Sequence, residues 1–270
     1  MALSPESFVN DLLATKGVGM TPPSQQDPEL TLATAYDLAF AVADKQLAAG
    51  DVIKGRKIGI SNPASWPAVG LDNVVWGYMF ERTVHPILNN HTKFPIGEMV
   101  APKVELELVF KLKDRPLSVR DPLELLTAVE WWALGFEIVD CPYPDWQFTP
   151  ADLVATFGFH AALIIGDCLE PDPLLLEQLS EQIGNVNASL SKNGEAVATG
   201  SGKNVVGHPL LALAHLSEVI EAHRDAPLLQ AGEIISTGTM TPPEVVVAGD
   251  TLIGELSGVD VPALTIDLVA

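Results

Sequence analysis

The stretch PKVELELVFKLKD, residues 102–114, alternates along its length. Val104, Leu106, Leu108, Phe110 and Leu112 fall on one side of an extended chain, and Glu105, Glu107, Val109 and Lys111 on the other. A period of two predicts a β-strand over 103–112. It also sets two carboxylates on one face, about 7 Å apart. Two readings stand. The strand has one wet face, where alternating charges are ordinary, or the carboxylates share a hard divalent cation, which accepts oxygen ligands at that spread. A third acid bears on the choice: LGFEIVDC (134–141) carries Glu137 inside an apolar run, with Asp140 behind it. Such a lone acid is more often a paired core residue or a strand-end residue than a ligand, and spacing alone does not make the three converge.

The rest of the chain sets the frame. Its 270 residues suffice for a substantial core, and 47% hydrophobic against 19% charged residues describes a globular protein. Acidic side chains outnumber basic ones 35 to 15, giving a formal charge of −20. That surface repels phosphate backbones and anionic bilayers, so neither nucleic acid nor membrane is an expected partner. Two cysteines, Cys141 and Cys168, make no disulfide framework. The start, MALSPESFVNDLL, lacks a signal peptide's basic head and apolar centre, and no apolar run is long enough to span a bilayer. A cytoplasmic protein is expected.

Ser4-Pro5-Glu6 opens a short helix to about Thr15, followed by a loop over 17–29. Leu32, Tyr36, Phe40, Ala43 and Leu47 then mark one helical face ending at Gly50. Residues 1–50 therefore read as a helical N-terminal cap and 51–270 as a β-rich domain. Strands are expected at 56–61, 103–112, 135–141, 157–166, 185–199, 233–237, 251–256 and 263–268. Helices are expected at 121–133, 173–183 and 208–223, and Asn193-Gly194 is a hairpin signal. Many strands with few helices between them predict an α+β fold that is mainly antiparallel.

Other segments offer chemistry. KGRKIGIS (54–61) holds Arg56 and Lys57, which face opposite ways in a strand, so one points inward. An inward lysine near acids can bind a carboxylate or move a proton. The bland alternative is a solvated basic loop. GEIISTGTMTPP (232–243) leads from a short strand into hydroxyls and free N–H groups that suit a carboxylate, or form an ordinary polar turn. The histidines lack paired spacing, which argues against zinc, and there is no GxSxG elbow.

The order of LTLATAYDLA, GRKIGIS, WGYMFERTV, PKVELELVF, GFEIVD, PADLVATFGFHAALIIG, LSKNGEAVATGSG, GHPLLALAHL and GEIISTGTMTPPEVVVAGD resembles the hydratase/decarboxylase branch of the fumarylacetoacetate hydrolase superfamily over residues 30–268. The resemblance implies a β-roll or barrel-like core with a helical cap. It also implies Mg²⁺ or Mn²⁺ held by Glu105, Glu107 and Glu137, with Lys57 as the active-site lysine and Asp152 as a second catalytic position. Ser236 and Thr237 match the loop facing the substrate carboxylate. Ser61 and Trp76 stand at substrate-binding positions where this branch usually has other residues, and Trp66 and His160 lie near pocket segments. The implied activity is a hydro-lyase adding water to a 2-hydroxy-2,4-dienoate (2-oxo-4-enoate), in a homo-oligomer of an aromatic or cyclic compound catabolic route, and the departures at Ser61 and Trp76 point to a substrate bulkier than the five-carbon one. Decarboxylation of a 4-oxalocrotonate-type acid, C–C hydrolysis, or a noncatalytic partner subunit of such a complex are the alternatives.

Overall fold

The structure, a computed structural model, describes residues 4–15, 20–116 and 119–270. The N-terminal helices are α1 (Pro5–Thr15), α2 (Pro23–Gln26) and α3 (Leu32–Ala48). Then follow β1 (Ile53–Gly59), α4 (Trp66–Val69), β2 (Val75–Phe80), β3 (Val84–Pro86), β4 (His91–Pro95) and β5 (Pro102–Leu112). The middle of the chain forms α5 (Pro122–Leu126), β6 (Val129–Asp140), α6 (Pro150–Ala155), β7 (His160–Ile165) and α7 (Leu176–Gly184). The remainder is β8 (Asn187–Lys192), β9 (Glu195–Ser201), α8 (Leu211–Ala222), β10 (Ile234–Ser236), β11 (Glu244–Val245), β12 (Thr251–Ser257) and β13 (Leu264–Val269).

Two sheets result. One runs β2-β1-β10-β5-β6-β7-β3 with β11 beside β5, and the other runs β4-β13-β12-β8-β9. Pairing is antiparallel except at β1/β10, β13/β4 and β3/β7. This is the mainly antiparallel α+β core expected from the sequence.

The opening strand is the centre of the larger sheet. Val104, Leu106, Leu108, Phe110 and Leu112 are completely buried in the main core. Gly254 lets β12 of the second sheet come down on this face, because a Cβ there would meet Leu106 at 2.4 Å and Phe136 at 3.0 Å. The other face is not wet. Val109 packs with Met79, Ala133, Leu163, Ile165 and Ile234 in a smaller apolar cluster, and Glu107 is as buried as they are. At the N-terminal end, α3 lays Ala35, Tyr36, Leu38, Ala39, Val42 and Ala43 into the main core and packs against α6.

The helix expected over 121–133 is corrected. Its start forms as read: Asp121 caps through Leu123 N, and Pro122 follows. The helix nevertheless stops at Leu126, and β6 takes Val129 onward into a ladder with the whole of β5. A long ladder buried on both faces outweighs a local start signal. The strands at 75–80, 84–86, 91–95 and 244–245 were not anticipated. The loop expected over 17–29 lies partly outside the described residues and contains α2. Asn193 and Gly194 turn the β8/β9 hairpin with φ of 56° and 84°, the left-handed pair that a two-residue hairpin requires. Among the described residues, no helix is long and apolar enough to cross a membrane.

Candidate metal centre and pocket

Register decides whether the glutamates meet. β5 and β6 pair with Glu105 opposite Glu137 and Glu107 opposite Gly135, so all three carboxylates rise from the same face of adjacent strands. One oxygen from each lies within 4.8 Å of the others.

Two of the three carboxylates, Glu107 and Glu137, are held from behind. Glu107 Oε2 accepts from the Ser236 hydroxyl at 2.5 Å and from Gly238 N at 2.9 Å. Glu137 Oε1 accepts from His160 Nδ1 at 2.8 Å and is 3.1 Å from Lys57 Nζ. The other ring nitrogen of His160 is bonded to the Thr83 hydroxyl at 2.9 Å. Glu107 Oε1 and Glu137 Oε2 are left buried without a hydrogen-bond partner. An unmet buried oxygen costs about 1–3 kcal/mol, more when charged. Two such oxygens beside a third carboxylate form a donor set for a hard divalent cation, and the fit is good.

Lys57 sits in the same row. β1 places it opposite Gly77 on one side and Ser236 on the other. Its ammonium donates to Gly158 O at 2.8 Å, a contact with no local signature in either segment. Two glycines permit this approach. A Cβ on Gly77 would lie 2.5 Å from the Phe157 backbone, and Gly158, at φ 69°, would push one to 2.9 Å from Lys57 Cε. Arg56, the neighbour of opposite parity, is buried on the other face. There it pairs with Glu233 at 3.0 Å and lies over Trp76 and Tyr78.

The charges answer to this crowding. Burial first, then repulsion from Glu137 and Glu105, pushes the Glu107 carboxyl well above its usual range. Burial, opposed by Lys57 and aided by Glu137, raises Glu105 to about 7. For Glu137 burial pulls the same way, but Lys57 and His160 outweigh it and its pKa is lowered. Burial alone would lower Lys57, yet the three glutamates keep it raised, so it stays an ammonium.

A cavity of about 510 Å³ opens beside the acids, reached by Lys57, Ser61, Lys103, Glu105, Trp146 and Thr241 among others. Ile60, a β-branched residue at φ 53°, turns the chain at its rim, pinned by Trp66 Nε1 on Ile60 O at 2.7 Å. Ser61, the next residue, lines the same cavity.

Four expectations are corrected by the bonds the side chains make. Asp152 does not line the cavity. Its carboxylate accepts from Ser24 N and Oγ (2.7 and 2.6 Å) and from Thr149 N and Oγ1 (both 2.8 Å), tying α2 to the start of α6. Asp152→Ala is therefore expected to lower unfolding free energy by about 1–3 kcal/mol in a denaturant melt. A change under about 0.5 kcal/mol, the size seen at unremarkable surface positions, would deny the tie. Trp76 faces Tyr36 and Arg56, on the side of β2 away from Lys57. The Ser236 hydroxyl is committed to Glu107, and Thr237 Oγ1 to Leu108 O at 2.9 Å. Further along this loop, Thr239 and Thr241 line the cavity, with the Thr239 hydroxyl donating to Thr241 O at 2.7 Å.

Lys103 and the aromatic wall of Trp146, Phe148 and Phe159 were not anticipated. The signal for Lys103 was present, since it continues the Glu107–Glu105 face by two residues.

With this geometry in view, comparison with known proteins adds the following. The chain is 28% identical over 234 residues to a 2-hydroxyhexa-2,4-dienoate hydratase of Comamonas testosteroni, covering 86% of this chain and 84% of that one. It is 25% identical over 221 residues to a 4-oxalocrotonate decarboxylase of a Pseudomonas species, covering 82% and 81%. Its fold matches 4-oxalocrotonate decarboxylase from Pseudomonas putida G7, complexed with magnesium and adipate, with a TM-score of 0.86 at 22% identity over 99% of both chains. The sequence profile described as fumarylacetoacetate (FAA) hydrolase C-terminal matches residues 72–264, and the chain belongs to that family.

Proposed function

We propose that the protein is a metal-dependent hydro-lyase that converts a 2-hydroxy-2,4-dienoate, by way of its 2-oxo tautomer, into a 4-hydroxy-2-oxo acid. The observation that carries this is the trio Glu105, Glu107 and Glu137, with two buried oxygens unmet and a lysine alongside. The named activities of the hydratase relatives support it. These three residues would hold Mg²⁺ or Mn²⁺, which when bound supplies Lewis acidity toward a 2-oxo acid and offsets the charge that develops at its C2 oxygen.

The protein's own groups do the rest. Lys57, fixed between Glu137 Oε1 and Gly158 O, presents a charged ammonium at the cavity and moves the proton during ketonisation. His160 and Thr83 hold Glu137 in place, and Ser236 and Gly238 hold Glu107. Leu153, Val139 and Phe159 line the cavity with apolar surface that limits bulk water.

Lys57→Met is expected to lower kcat by about 10²–10⁴-fold. Metal affinity, read by calorimetry, should hold or rise, because a cation leaves the neighbourhood of the glutamates. A variant that kept full turnover would remove the lysine from the chemistry.

Decarboxylation is the second reading, favoured by the relatives of that name. The two part cleanly in one assay on the metal-loaded protein. Loss of dienol absorbance from 2-hydroxypenta-2,4-dienoate without gas supports hydration. Release of CO₂ from 4-oxalocrotonate supports decarboxylation. Neither activity across a panel of 2-oxo acids, with metal bound, would leave a noncatalytic subunit.

A further inference from the structure

The cavity extends past the glutamates along β5, and what stands there is a cation. Lys103 is two residues beyond Glu105 on the same face of the strand, about 7 Å further on. It lines the same cavity. Its Nζ lies 3.8 Å from the ring centroid of Trp146, over the aromatic face. No carboxylate lies within ion-pairing distance of it among the described residues, although Lys57, the other lysine of the cavity, is paired at 3.1 Å. In a chain with 35 acidic and 15 basic residues, this half-buried ammonium, with Glu105 its nearest acid along the strand and no ion pair, is free to receive an anionic ligand.

The surroundings hold this ammonium in place. Trp146 is anchored by Nε1 to Ala101 O at 3.1 Å, and its ring is edge-on to Phe159 at 5.8 Å. Phe148 closes on Phe159 at 4.8 Å. Thr241, which also lines the cavity, is 2% exposed, and its hydroxyl has no hydrogen-bond partner. One wall is thus aromatic and apolar, and it carries a cation. The loop wall adds an unspent hydroxyl.

We propose that Lys103 receives a second, distal carboxylate, so that the preferred substrate is a 2-oxo dicarboxylic acid whose 2-oxo acid end faces the three glutamates. This rests on the reading of the cavity as a 2-oxo acid site and narrows it. The carbon chain runs between the two charged ends along the aromatic wall, and Thr241 is placed to donate to the ligand. A monocarboxylic acid of equal length would bury its apolar end against an uncompensated ammonium.

The test uses 2-oxoadipate and 2-oxohexanoate, which have the same number of carbons and differ at the far end. Their dissociation constants are measured by calorimetry on the full-length Mn²⁺-loaded protein, for wild type, Lys103→Met and Lys103→Arg. Oxalate, which needs only the metal end, is titrated in parallel and reports whether each variant keeps an intact centre. Wild type is expected to prefer 2-oxoadipate by about tenfold or more, the worth of one charge-assisted pair. That ratio should fall to near one in Lys103→Met and recover in Lys103→Arg. Equal binding of the two acids by wild type, or an unchanged ratio in Lys103→Met, overturns the role of Lys103 and leaves the 2-oxo acid site standing. Failure of oxalate and both acids to bind wild type overturns the underlying reading as well.

Discussion

Glu107→Gln is expected to move two observables in opposite directions: the metal-free protein becomes more stable, and metal binding weakens by about a hundredfold or more. The first follows from burial. Glu107 is completely buried beside two other carboxylates, which holds its pKa far above that of an unfolded chain, so ionising it at neutral pH works against folding. Glutamine keeps an oxygen for Ser236 and Gly238 and can turn its amide toward the neighbouring carboxylates. A gain of about 1 kcal/mol or more is expected, which in a chain of this size raises Tm by about 2–4 °C. Glu107→Ala tests the cause. It removes the acceptor too, stranding a buried hydroxyl and a buried N–H, and should lose stability where glutamine gains it. A glutamine variant that bound Mn²⁺ as wild type does would end the assignment of Glu107 as a ligand.

The second large effect is a pH dependence whose sign reverses with metal. Burial raises Glu105 to about 7 in the folded protein and holds Glu107 well above the ordinary value of 4.5. From about pH 5 to past pH 7 the folded state therefore holds more protons than the unfolded chain, and this pair's contribution to stability falls as pH rises. Glu137 and Lys57 act at the ends of the scale. The lowered Glu137 contributes stability above its unfolded value that is lost in acid, and the raised Lys57 contributes stability lost only in strong base. A bound dication needs both raised carboxylates ionised, so its affinity climbs through the same interval by up to about tenfold per pH unit for each proton displaced. The Tm of the metal-free protein should decline between about pH 5 and pH 8 while the increment given by saturating Mn²⁺ grows. Calorimetry in buffers of different ionisation enthalpy should show proton release near pH 6.5, and none in a range where metal uptake is pH-independent. An affinity flat across this interval would mean that the carboxylates are already ionised.

The face carrying Glu105 and Glu107, and the opposite parity of Arg56 and Lys57, were legible because a strand's period of two is local. So was the Asn193-Gly194 hairpin. The convergence of Glu137 with the other two was not, since it depends on which of the residues of β6 faces Glu105, a long-range register with no signature in either segment alone. The same holds for the loop hydroxyls. Composition shows that Ser236, Thr237, Thr239 and Thr241 lie close together, but not that the first two are spent on Glu107 and on the backbone of β5. Asp152 and Trp76 illustrate a different gap. The resemblance placed them near the active site in the chain, while their atoms turn toward α2 and toward Tyr36. The helix lost at 127–133 shows a sound N-terminal signal overridden by strand pairing.

The adjacent pair Arg56 and Lys57 has a consequence for how the chain settles into its alignment. The two sides of β1 demand different cations. The aromatic side has Trp76 and Tyr78 to stack a flat guanidinium and Glu233 to fork it, whereas the acidic side has room for a compact ammonium under Gly158. Sliding β1 by a single residue against its neighbours would exchange the two, forcing a forked head beneath a tight turn and a slender one into a sandwich built for a plane. Misthreading is thus penalised on both surfaces at once, and the dipeptide serves as a two-sided key that admits β1 to its sheet in one position.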